Sequence, residues 1–179
     1  RDAAMDTADI AVLSTAALRA ISTAAVVAMG TEGVSALTTA QLRQLTTAQT
    51  AALTTDQVAA LSTAQVATLQ TAQVRALATD RIAALETADV AALTTAQVRG
   101  LSNAQISALT TDQVAAMESA DLAALSTAQV LALGSAQLNA LGSAQLAALS
   151  SAQVQKLTTA QLSALTTENL DALTTAQFS

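Results

Sequence analysis

The amino-acid sequence predicts an all-α solenoid of very short helices, each about 1.5 turns long and one per eight-residue repeat. Three observations lead there. The octad recurs without a break, ten of its 21 complete copies place a glutamine three residues after a hydroxyl residue, and acids and bases are sorted to opposite ends of the unit.

From Met5 the chain divides into MDTADIAV, LSTAALRA, ISTAAVVA and so on to LTTENLDA. That gives 21 complete octads over residues 5–172 and a partial one, Leu173–Ser179. Position 1 is Leu, Ile or Met, and position 6 is mostly Val, Leu or Ile. Position 3 is always Thr, Ser or Asn, and position 5 is usually Gln, as in Gln57, Gln65 and Gln73. No insertion, linker or composition shift interrupts the array, so one continuous repeat domain over residues 1–179 is expected. A long helix does not suit this period: at about 100° per residue, eight residues overshoot two turns by about 80° and the leucine stripe winds around the axis. Coiled coils need repeats of seven or eleven. A strand fails too, because positions 1 and 6 differ in parity.

A short helix followed by a corner fits. In Leu53–Ala60, Thr54 as N-cap puts Gln57 at the third helical position, which makes a capping box, and Leu53 and Val58 then form a hydrophobic staple. The competing choice caps at position 3, which never departs from Thr, Ser or Asn, whereas position 2 admits Gln70, Ala78 and Gly134. Either way the helix starts near position 3 and ends near position 8.

The charges agree. Among complete octads, eleven of twelve acids lie at positions 2, 4 or 5, and four of six bases (Arg19, Arg43, Arg75 and Arg99) lie at position 7. Acids at the start and bases at the end complement a helix dipole. Positions 1, 3 and 6 carry no charge and read as interior; positions 2, 4, 5 and 7 read as the wet surface. Helices this short cannot stand alone, so successive octads must stack around a Leu/Val ribbon. Arg19 to Arg43 and Arg75 to Arg99 are each 24 residues apart, which points to three octads per coil. Arg43 to Arg75 is 32, and two per coil stays open.

Composition bounds the function. Hydrophobic residues make up 52% but aromatics only 1%, so the core is thin and aliphatic. A net charge of −6 without Lys/Arg clusters excludes a nucleic-acid surface. No apolar run is long enough for a membrane span, and no signal peptide is visible. The start at Arg1 suggests a fragment or processed product.

Candidate sites are few. The glutamine column reads as solvated first-turn residues, with side-chain ladders as the alternative. The position-3 threonines read as caps or buried hydroxyls rather than an array that binds ice or glycans. There is no His or Cys, no Ser beside a base, and no paired carboxylates. Asp80, Glu86 and Asp89 with Asp112, Glu118 and Asp121 lack the spacing of a calcium loop. Gly30 and Gly33 lack the context of a phosphate loop, and Gly134 and Gly142 are expected to relax their corners. No catalytic, cofactor-binding or metal-binding residue is expected, and the chain is not expected to be an enzyme.

The LTTAQV unit resembles the LTTAQVAAL-type arrays within large bacterial surface or exported, adhesin-like proteins. That resemblance covers essentially the whole chain and implies an extracellular, non-catalytic scaffold or fibre. A lesser likeness, to the LTPEQV helix start of TAL-effector repeats, carries no DNA binding over, because those units are about four times longer and this chain lacks their base-reading residues. The expected function is therefore a structural segment forming a rod or fibre, a spacer, adhesive or matrix element. Because Leu173–Ser179 keeps the interior pattern, copies are expected to associate end to end or laterally, or the array to continue into further repeats. The alternative is a binding module whose regular Thr/Gln face takes a repetitive ligand such as surface polysaccharide or ice.

Overall fold

The computed structural model describes residues 7–178. Among them are 21 short α-helices, one in every octad, from Thr7–Ala11 to Thr167–Ala172, followed by a 3-10 turn at Thr175–Phe178; no strand occurs among the described residues. The helices are four to six residues long. The all-α, one-helix-per-octad expectation is met.

The cap lies at position 2. Ser14, Ser22, Thr38, Thr46, Thr54 and Thr110 all have extended backbones, and the hydroxyl of each accepts the N–H three residues on. Gly134 and Gly142 hold the same place with φ of −74° and −75°, an ordinary extended geometry that any residue adopts. Their expected role of relaxing the corner is therefore not needed. Gly30 is different: it is the one described glycine with positive φ, at 66°. There the helix Thr23–Ala28 runs through Met29 into Gly30–Ser35 without the usual extended corner.

Two compact units divide the array, one ending at Leu93 and the other beginning at Thr94. The division falls inside an octad, and the sequence repeat passes through it unchanged. Both units follow one rule: each helix packs on the helix three before it. In the first unit Thr71–Ala76 packs on Thr47–Ala52, and in the second Thr127–Ala132 packs on Asn103–Ala108. Side-chain hydrogen bonds span 28 and 31 residues, as from Gln73 to Leu45 and Leu42. Like elements thus meet three octads apart, which excludes two octads per coil. The arginine spacing of 24 residues matches this packing interval, and the spacing of 32 does not.

Within each unit positions 1 and 6 form the core. Leu53, Val58, Val66, Val130 and Leu138 are fully buried. The interior assignment fails at two columns. Position 3 is exposed at Thr39, Thr63, Thr95 and Thr111, whereas position 5 is buried at Gln57, Gln73, Gln129 and Gln153. Helix geometry gives the reason. With the cap at position 2, residue 3 is the first helical residue, and positions 5 and 6 follow it by about 200° and 300°. The buried side centres between those two. Positions 4 and 7 then lie opposite it, with 3 and 8 on its flanks. A column without charge is not the same as a column without water.

Candidate functional site: a buried glutamine ladder

The recurrent polar feature of the molecule is the position-5 column, and it is a ladder rather than a solvated face. Gln73 shows the arrangement. Its Oε1 accepts the N–H of residue 70 at 2.8 Å, while its Nε2 donates to the carbonyls of Leu42 and Leu45, both at 2.9 Å. One amide thus satisfies its own helix start and clasps the corner of the coil beneath. The same pattern recurs along the array. Gln41 donates to Ile10 and Leu13 at 2.9 and 3.0 Å, and Gln49 to Leu18 and Ile21, both at 2.9 Å. In the second unit Gln129 reaches Leu101 at 2.8 Å and Gln153 reaches Leu125 at 2.8 Å. The chemistry fixes the amide's orientation, since the cap N–H needs an acceptor and the two carbonyls need donors.

Substitutions in the column keep the polar side chains satisfied by other means. Arg81 donates from Nε to the Leu53 carbonyl at 2.8 Å, and its guanidinium pairs with Asp80 at 2.9 Å. Asn169 is one methylene too short to reach back to its own cap. Its Nδ2 donates to the Asn139 carbonyl at 3.2 Å, and Asn139 Oδ1 instead accepts the Thr166 N–H at 3.0 Å. Asn139 also donates to the Ala164 carbonyl at 2.7 Å. Asp121 places a buried carboxylate in the column and accepts the Thr95 hydroxyl at 2.7 Å. Asp89 is buried as well and accepts the N–H of Glu86 at 3.2 Å. No buried side-chain nitrogen or oxygen among the described residues lacks a partner.

The acidic residues that stood out in the sequence go to separate places. Asp80 pairs with Arg81, Glu86 and Glu118 occupy cap positions, and Asp112 lies in the first turn of Thr111–Ala115. No group of three or more His, Cys, Asp or Glu side chains gathers among the described residues. Gly30 and Gly33 form no phosphate loop. A Cβ on Gly33 would meet Ile10 Cδ1 at 2.7 Å and Met29 Cβ at 2.8 Å, so that glycine serves a close approach of backbone to core. No described helix is long and apolar enough to cross a membrane.

The sequence located the glutamines but not their destination. The capping box explained Oε1 and left the two Nε2 hydrogens unassigned. A donor count on an interior amide is the signal that asks for two carbonyls elsewhere.

The ALTTAQ repeat family model matches residues 3–39, 34–63, 82–117, 114–151 and 148–179, most of the chain. No curated protein matches it.

Proposed function

The chain belongs to the ALTTAQ repeat family, and from that premise we propose that it is a non-catalytic spacer segment of a bacterial surface or extracellular protein. The supporting observation is the ladder. In an enzyme or receptor, the recurrent polar side chains converge on a pocket. Here the recurrent amide is turned inward in both units and is spent on joining one coil to the next. Stability then accrues by nearest-neighbour contacts, so length can change by adding units without rebuilding a core.

The alternative Thr/Gln recognition face loses its glutamines to the interior. The position-2 hydroxyls are also committed. Thr38, for example, accepts the Gln41 N–H at 3.2 Å and donates to Gln41 Oε1 at 3.0 Å. Replacing them to test ligand binding would weaken the helix starts as well, and any glycan reading must rest on the exposed position-3 threonines alone.

Antibody labelling of the array on intact and permeabilised cells tests the placement. Labelling of intact cells is the expected result. Labelling only after permeabilisation would rule the surface reading out.

A further inference from the structure

Within each unit, a coil is held to the next by partners that any octad can supply. Gln49 donates to Leu18 and Ile21, Gln73 to Leu42 and Leu45, and Gln129 to Leu101, and each acceptor is a main-chain carbonyl. Departures from the ladder also end on the main chain. Gln70 donates to the Arg43 carbonyl at 2.8 Å, and Arg81 to that of Leu53. A carbonyl at a given place in one octad is chemically the same in the next, and positions 1 and 6 repeat much the same apolar side chains. The octads of Asp89 and Asp121 send no amide to the coil beneath, yet they obey the same rule. Asp89 accepts from its own cap at Glu86, and Asp121 accepts from Thr95, at a position that keeps Thr, Ser or Asn in every octad.

Distances along the chain are short as well. Helices pack three octads apart within each unit, with Thr23–Ala28 against Gly30–Ser35 the one adjacent pair so packed among the described residues. The bonds between coils span 26 to 31 residues, as at Thr95–Asp121 and Gln73–Leu42. Opening one coil therefore leaves the contacts of more distant coils in place, and reclosing it demands no remote partner.

The Asn139–Asn169 pair is different. Asn169 Nδ2 donates to Asn139 Oδ1 at 3.2 Å, and the same oxygen accepts the Thr166 N–H at 3.0 Å. The residue in the place of Asn139 is Leu131 one octad earlier and Ala147 one octad later, and neither supplies that oxygen. A single register satisfies this pair.

We propose that the array is a compliant tether: its coils open one at a time under tension and reclose on any octad, and the Asn139–Asn169 pair is a lock on register in the second unit. Opening one coil of three octads frees up to about 80 Å of extended chain. A coil that recloses one octad out of step leaves eight residues as a loop, whose closure costs little entropy, and its amides still find carbonyls. This gives the spacer a mechanical property, and the two readings fail separately, because cell labelling tests where the array sits and force tests how it yields.

Optical tweezers on the full chain, held at its two ends, test the tether. Openings of one coil or less in succession are expected, with stretching and relaxing traces that overlay at slow pulling. Some relaxations should end short by eight residues or a multiple of eight and regain the full length on a later cycle. One abrupt rip per unit with wide hysteresis would show that coils do not act singly and overturns the tether. Closings that always restore the full length overturn the exchange of register. For the lock, the full chain is held instead at Ala128→Cys and Asp171→Cys, two exposed places that bracket the pair. Adding Asn139→Ala and Asn169→Gln brings both octads to the common pattern, and short closings should become about fivefold or more as frequent. An unchanged frequency overturns the lock.

Discussion

A glutamine side chain carries two donors and an acceptor on one flat group, and the octad uses all three. Gln73 makes three bonds in a fully buried place, to residue 70 and to the corner at Leu42 and Leu45. Gln73→Ala strands those groups and opens a void, so urea unfolding should show a loss of about 2–4 kcal/mol. Gln73→Glu keeps the shape but turns an acceptor toward two carbonyls. Its ionised form is disfavoured in the folded state, so the raised folded pKa gives a penalty that is full above that pKa, shrinks as the pH falls through it, and is gone below the unfolded carboxyl value. Urea midpoints of the variant and the wild type at pH 7 and pH 4 should therefore converge on the acid side. The Asn139–Asn169 pair makes a second residue-scale case, because the two share the job of one glutamine. Asn139→Ala should cost about 1–3 kcal/mol in the natural background and far less beside Asn169→Gln, a coupling that a double-mutant cycle measures. These destinations were hidden in the sequence for a physical reason. A capping box is a local rule that accounts for Oε1 within four residues, whereas the Nε2 acceptors lie 28 and 31 residues away.

At the scale of one helix, the fold is a problem of starting rather than of continuing. Four to six residues provide few internal bonds, so the N-cap and the third-residue side chain supply much of what makes each turn form. The sequence made the helix and its polarity legible through Thr54, Gln57 and the sorted charges, but two adjacent hydroxyl columns left the cap unresolved by one residue. The constancy of position 3 misled, because position 2 needs only an extended backbone, and where position 5 is glutamine that side chain accepts the cap N–H. Gly134 shows this, donating to Gln137 at 2.7 Å. Ala78 is a weak point, an N-cap with no side-chain acceptor and no glutamine three residues on. Ala78→Thr should stabilise the chain by about 0.5–2 kcal/mol, and Thr110→Ala should lose a similar amount; thermal melts of the pair should move in opposite directions.

At the scale of the array, helices pack three octads apart, and arginines are too few and too solvent-exposed for their spacing to fix that period. Register is held instead by a rule about intervals: the amide at position 5 must find a corner 28 to 31 residues back. Backbone carbonyls are alike in every octad, so removal of one whole octad gives each spanning glutamine an equivalent partner. Deleting Leu61–Thr68 should therefore leave a cooperative helical protein with a slightly lower urea midpoint. Deleting Leu61–Ala67 should not, since a slip of one residue brings the apolar position where the amide belongs. Side-chain partners are not interchangeable in this way. Deleting Leu149–Lys156 carries Leu131 to the place of Asn139 beneath Asn169 and leaves the Thr166 N–H without its acceptor. That deletion should cost about 1–3 kcal/mol more than the first. Asn169→Gln within it should recover most of the difference, because the longer amide reaches its own cap. Urea midpoints of the deletions decide the matter. Equal loss from the Leu61–Thr68 and Leu61–Ala67 deletions would mean that something other than the glutamine interval sets the coil.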